Sequence, residues 1–235
     1  MNPGDPNVAR VEIVAAALGG LCEELVFVGG CAASLLIDAP SAPPARVTYD
    51  VDVIAEVAAL SDYYALEKRF TERGFARDVS EGAPICRWRV QDVEVDLMPT
   101  DESILGFSNR WYPAAVASAL STALPSGRRI NLISAPAFLA TKFEAFDTRG
   151  KSDVLISHDL EDIVNVVEGR PMVVEEITAA ESALRAYLTM KFRELSRNPD
   201  FANALPGLVA FDDLYQSRIQ TVRDRMSAIA ELDGL

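Results

Sequence analysis

The chain has a single histidine, His158, in 235 residues, and only three cysteines, Cys22, Cys31 and Cys86. One histidine excludes a His-rich metal centre and weighs against a serine–histidine relay. Three cysteines without CxxC spacing exclude a zinc ribbon and weigh against a disulfide framework. Positive charge is also scarce. There are 22 Lys and Arg against 35 Asp and Glu, a net charge of −13, and both halves of the chain carry more acid than base. Such a chain is no general nucleic-acid coat; a phosphate-backbone partner would need a local basic patch. No apolar run approaches the roughly 18 residues of a membrane span. The opening MNPGDPN has neither the positive region nor the apolar core of a signal peptide. The expectation is a reduced, cytoplasmic protein that does not enter a membrane.

What is present is an ordinary globular composition, 49% hydrophobic and 24% charged. Residues 8–18 read as an Ala-rich helix stopped by Gly19 and Gly20, and 25–28 as a buried strand broken by Gly29 and Gly30. A compact helix over 31–37 leads into a Pro-rich loop over 39–45. Residues 47–57 alternate as a strand, and the next helix is expected to be N-capped by Ser61 and ended by Gly74. Residues 85–90 and 93–98 form a hairpin about Gln91-Asp92. From Ala135 the period becomes helical. Phe138, Leu139, Lys142 and Phe143 open one helix, and 153–167 make another, closed by Gly169 and Pro171. Val174, Ile177, Leu184, Tyr187, Leu188 and Leu195 trace an apolar stripe, and a last helix covers 208–232. The expected class is α+β: a mixed sheet with flanking helices over residues 1–130, then a helical domain over 131–235.

The stretch Thr48-Tyr49-Asp50-Val51-Asp52-Val53 carries the most chemistry. On a strand, i and i+2 share a face, so Asp50 and Asp52 project together. Two like charges held together either face water or bind a cation. Val93-Glu94-Val95-Asp96-Leu97 repeats the alternation, and if the two strands are neighbours, Glu94 or Asp96 becomes a third ligand. Three hard oxygen donors on rigid strands suit a two-magnesium site that activates an attacking oxygen and neutralises a triphosphate. Ahead of them, Val28-Gly29-Gly30 opens a helix whose N-terminus favours an anion and whose glycines let phosphate approach.

Taken together, VFVGGCAASLLI, TYDVDVI and VEVDLMP resemble the nucleotidyltransferase superfamily with its polymerase-β-like fold. The resemblance implies phosphate contact at Gly29 and Gly30, and Mg²⁺ ligation at Asp50, Asp52 and Asp96, although the gap from Gly30 to Asp50 is longer than usual there. Further on, LATK, Arg149-Gly150-Lys151 and His158-Asp159-Leu160-Glu161-Asp162 look like the signature of AbiE-type toxin nucleotidyltransferases. This implies a C-terminal helical bundle in which Lys142 contacts the triphosphate and Asp159 is an additional acid or a base for the acceptor. Asp162 is expected to be structural, and His158 stands where relatives often carry arginine.

Read without the family, Lys142 is a point charge for phosphate or the partner of Glu144, Glu161 or a solvated acid. Arg185, Lys191, Arg193 and Arg197, with Arg218, Arg223 and Arg225, offer a local basic face for RNA or solvated helix faces paired with Glu181, Glu194 and Asp224. Trp88 and Trp111 stack a base or pack at the core's rim. The expected activity is Mg²⁺-dependent transfer of a nucleoside monophosphate from a nucleoside triphosphate to tRNA or protein, by a toxin restrained by an antitoxin protein. A small-molecule, antibiotic-type nucleotidyltransferase and a non-catalytic nucleotide-binding module on the same fold are the alternatives.

Overall fold

The computed structural model describes residues 4–148, 154 and 156–232. The chain divides into two compact units, Met1–Leu35 with Val47–Ser134, and Leu36–Arg46 with Ala135–Leu235.

The first unit is built on a seven-stranded mixed sheet. Its elements run α1 (Pro6–Leu18), β1 (Leu25–Val28), α2 (Gly29–Leu36), β2 (Asp50–Ala55), α3 (Leu60–Glu72), β3 (Ala76–Arg77), β4 (Arg87–Val90) and β5 (Val93–Pro99), then α4 (Glu102–Leu105), α5 (Tyr112–Ala117), β6 (Leu120–Ala123) and β7 (Arg129–Leu132). The strand order is β3-β4-β5-β2-β1-β7-β6. β2 runs parallel to β5 and β1 parallel to β7, while the other neighbours are antiparallel. β1 is buried at every position, as expected of an inner strand. On β2, Val51 and Val53 are wholly buried while Asp50 and Asp52 are half-buried, the two-residue alternation anticipated from sequence.

β2 begins at Asp50 and not near Val47, because pairing with β5 starts at Asp50↔Glu94; Val47 and Tyr49 are exposed. The β6–β7 hairpin has no counterpart in the sequence reading. Its strands have four residues each, β7 burying Ile130 and Leu132, and its turn is closed by the Gly127 N–H donating to Leu124 O and the Leu124 N–H donating to Arg128 O.

A buried amide ties the first helix to the strand that carries the acids. Asn7 on α1 donates through Nδ2 to Ser34 Oγ on α2 at 2.9 Å, and its Oδ1 accepts the Thr48 N–H at 3.0 Å. The Thr48 hydroxyl then donates to Asp50 Oδ1 at 2.7 Å.

The second unit is helical: α6 (Ala135–Thr148), α7 (His158–Gly169), α8 (Val173–Thr178), α9 (Ser182–Arg197), α10 (Pro199–Leu208) and α11 (Tyr215–Ala230). α6 is buried along most of its length and lies against α7, α8 and α9. α7 starts at His158 behind a Ser157 N-cap, later than the sequence pattern suggested. The last helix, expected over 208–232, begins only at Tyr215; Leu208 instead ends α10. The chain breaks after Leu208, and Asp212 Oδ1 accepts the Leu214 N–H to close a turn before α11. On α8 the buried residues are Val173 and Ile177, whereas Val174 of the expected stripe is half-buried. Among the described residues, no helix is long and apolar enough to cross a membrane.

Removing the Asn7 amide orphans the buried Ser34 hydroxyl and the Thr48 N–H together. Asn7→Ala should therefore lower unfolding stability by about 2–4 kcal/mol, read as a lower urea midpoint at unchanged slope.

Candidate metal centre

Parallel pairing in register sets Asp50 beside Glu94 and Asp52 beside Asp96. All four acids thus share one face of β2 and β5, about 4.8 Å apart across the ladder. Asp50, Asp52 and Asp96 each offer one carboxylate oxygen, and these atoms lie within 4.8 Å of one another. Glu94 is engaged differently. Its Oε1 is 2.5 Å from Arg89 Nη2 and its Oε2 is 2.7 Å from Arg87 Nη1. Of the two candidates for third acid, Asp96 is the one that joins the aspartate pair.

Sequence reasoning missed the guanidinium in their midst. Arg87 on β4 grips Asp96 with two hydrogen bonds, Nε to Oδ1 and Nη2 to Oδ2, both at 2.8 Å. The same Nη2 reaches Asp50 Oδ2 at 3.1 Å. Hydrogen bonding to Asp96 above all, and then the charges of Asp96, Glu94 and Asp50, push the Arg87 pKa up against the opposing effect of burial. The signal lay in the hairpin: antiparallel pairing about Gln91-Asp92 sets Arg87 opposite Asp96 and Arg89 opposite Glu94.

Gly29 begins α2 with φ +69°, in the left-handed region that favours glycine. A Cβ built there would lie 1.7 Å from Asp52 Oδ2 and 2.8 Å from Asp52 Cβ. The glycine is thus the space in which the Asp52 side chain stands. Gly30 follows, buried in the first turn of the same helix. Cys31 Sγ lies 3.2 Å from the Asp50 backbone carbonyl and ties α2 to the start of β2. Burial pushes the thiols up, Cys22 to about 11 and Cys86 to about 12, with Cys31 displaced in the same direction. None of the three is a thiolate nucleophile near neutral pH.

An oxygen-only donor set suits a hard ion such as Mg²⁺ and not a thiolate- or imidazole-seeking metal. The carboxylates fit that ion in kind and spacing, with the Arg87 guanidinium at two of them.

Lys142 and Asp159 come together in the helical unit. Lys142 on α6 is buried, with Nζ 3.1 Å from Asp159 Oδ1 and 2.6 Å from Asp162 Oδ2 on α7. Asp162, 1% exposed, also lies 3.3 Å from Arg46 Nη2, and its Oδ1 has no hydrogen-bond partner. Asp159 and Asp162 are thus partners of the lysine. Asp162 is the acid that neutralises two cations in a dry setting, as its expected structural role requires. His158 is exposed beside Glu161. Arg149-Gly150-Lys151 lies outside the described residues.

Several of the helical unit's described cations make local contacts, while Arg197 and Arg223 are exposed. Lys191 pairs with Asp147 and Glu194, and Arg218 with Glu168 and Asp212. Arg185, Arg193 and Arg225 donate to the carbonyls of Thr178, Ala230 and Val167 respectively. Trp88 is buried, 5.6 Å from the Phe70 ring, so it packs in the core and does not present a face to a base.

Compared with protein-family models and with curated proteins, the chain matches none.

Gly29→Ala combines left-handed strain with displacement of the Asp52 side chain. It should cost about 2 kcal/mol or more of stability, read as a lower midpoint in urea unfolding, and an unchanged midpoint would contradict the close packing described.

Proposed function

We propose that the chain is a Mg²⁺-dependent nucleotidyltransferase with a polymerase-β-like first domain and a C-terminal helical bundle, closest to the AbiE-type toxins. The observation that carries this reading is the convergence of Asp50, Asp52 and Asp96 on adjoining strands, with Gly29 packed against Asp52. The order strand, Gly-Gly, helix, D-x-D strand and third-acid strand, here β1, α2, β2 and β5, supports it.

In this reading an acceptor oxygen attacks the α-phosphorus of a nucleoside triphosphate, the bond to the bridging α–β oxygen breaks, and pyrophosphate leaves. Mg²⁺, when bound, supplies charge neutralisation on the triphosphate and acidifies the acceptor hydroxyl. Asp50 and Asp52 would hold the ion on the nucleotide side, and Asp96 would be the carboxylate of the acceptor side. Gly29 and Gly30 enter through the resemblance, as phosphate contacts at the helix N-terminus. Lys142 and Asp159 enter through the resemblance, as a phosphate contact and an additional acid. Rigid strands hold the carboxylates in place, so catalysis is mainly positioning and electrostatic stabilisation.

For the acceptor, a specific observation favours a protein or a small hydroxyl compound over tRNA. The net charge is −13, and Arg185, Lys191, Arg193, Arg218 and Arg225 are committed to internal acids and carbonyls. A toxin acting on protein, restrained by an antitoxin in the cytoplasm, is the leading form of the proposal. Modification of a small hydroxyl compound is the second.

The test is incubation with each labelled nucleoside triphosphate and Mg²⁺ in three arms: total tRNA, lysate protein and hydroxylated antibiotics. Label should appear in one arm and fall at least about a hundredfold in Asp52→Asn. No incorporation in any arm, with triphosphate binding indifferent to Mg²⁺ removal, would mark a non-catalytic binding module instead.

A further inference from the structure

The Arg87 guanidinium stands at the oxygens that a metal ion would need. Its Nη2 lies 3.1 Å from Asp50 Oδ2 and 2.8 Å from Asp96 Oδ2, so one nitrogen bridges two of the three aspartates of the candidate centre. Mg²⁺ binds carboxylate oxygens at about 2.1 Å, and an ion held by both of these atoms would lie within a few ångströms of that nitrogen. Two cations so close repel strongly in a partly buried site. Arginine and a divalent ion therefore compete for Asp50 and Asp96.

A second observation shows that the exchange is confined to those two residues. Glu94, the other acid on Arg87, is also held by Arg89, whose Nη2 is 2.5 Å away. Arg89 is in turn fixed by Asp78 at 2.8 Å. When Arg87 leaves, Glu94 keeps a counter-charge while Asp50 and Asp96 lose theirs. The vacancy opens on the pair of carboxylates that belong to the aspartate cluster.

We propose that Arg87 is the resident cation of this site, and that a divalent ion loads at Asp50 and Asp96 only by displacing its guanidinium. The proposal rests on the metal reading above and adds its regulation. In the metal-free chain Arg87 holds like charges together, and the same contact keeps ion affinity low. A ligand that brings both an ion and phosphate oxygens relieves that competition, because the released guanidinium can fork onto phosphate. A metal–triphosphate complex is such a ligand.

The test is direct Mn²⁺ binding, with free ion counted by electron paramagnetic resonance, to the wild-type full-length chain, Arg87→Gln and Asp96→Asn. Losing a competing charge-assisted hydrogen bond should tighten Mn²⁺ binding in Arg87→Gln by about tenfold or more, while Asp96→Asn loses it. Equal or weaker binding by a folded Arg87→Gln, with binding still abolished in Asp96→Asn, overturns the exchange and leaves the metal reading standing. Binding by neither wild type nor Arg87→Gln overturns both. Should Arg87→Gln not fold without metal, Arg87→Lys keeps the charge but loses the fork. It should bind Mn²⁺ more tightly than wild type, and equal affinity there overturns the proposal.

Discussion

Carboxylates on one face of two paired strands repel one another, and the sheet tolerates them here because a guanidinium is threaded between them. Arg87 hydrogen-bonds to Asp96, Asp50 and Glu94 at 2.7 to 3.1 Å. That contact depends on two registers at once, β4 with β5 and β5 with β2. A slip of one residue in either would turn the acids or the arginine to the opposite face, among Val51, Val53, Val95 and Leu97. The wholly buried valines and leucine on one face thus fix the chemistry on the other.

The same device recurs in the helical unit, where buried Asp162 neutralises both Lys142 and Arg46. Removing one partner of such a group leaves an uncompensated charge in a dry place, whereas the intact set is stable. In both units a cluster of buried or half-buried acids is matched by nearby cations. This accounts for how a chain of charge −13 packs buried ionic groups without self-repulsion dominating.

Much of this was legible from residue spacing. The two-residue period put Asp50 and Asp52 on one face, and the Gly29-Gly30 break after four apolar residues marked the strand-to-helix junction. Glu94 and Asp96 share a face of the same strand, so alternation alone left both open as third acid. Only the pairing register and the arginines that engage Glu94 separate them. Arg87 was legible in principle through the hairpin, but a basic residue on a strand carries no periodic signal of its own. The partners of Lys142 depend on how α6 meets α7, a contact between residues 17 and 20 positions apart that periodicity does not encode. The β6–β7 hairpin was hard to read because each strand has only four residues: Ile130 and Leu132 alternate inward on β7, but β6 is largely exposed and carries no such pattern.

The central claim is that Asp50, Asp52 and Asp96 form a divalent-cation site. Anomalous diffraction from a crystal soaked in excess Mn²⁺ tests it most directly. The account predicts an anomalous peak ligated by these three carboxylates, with Arg87 turned away from Asp50 and Asp96. No peak among them, with the guanidinium still bridging Asp50 and Asp96, would contradict it.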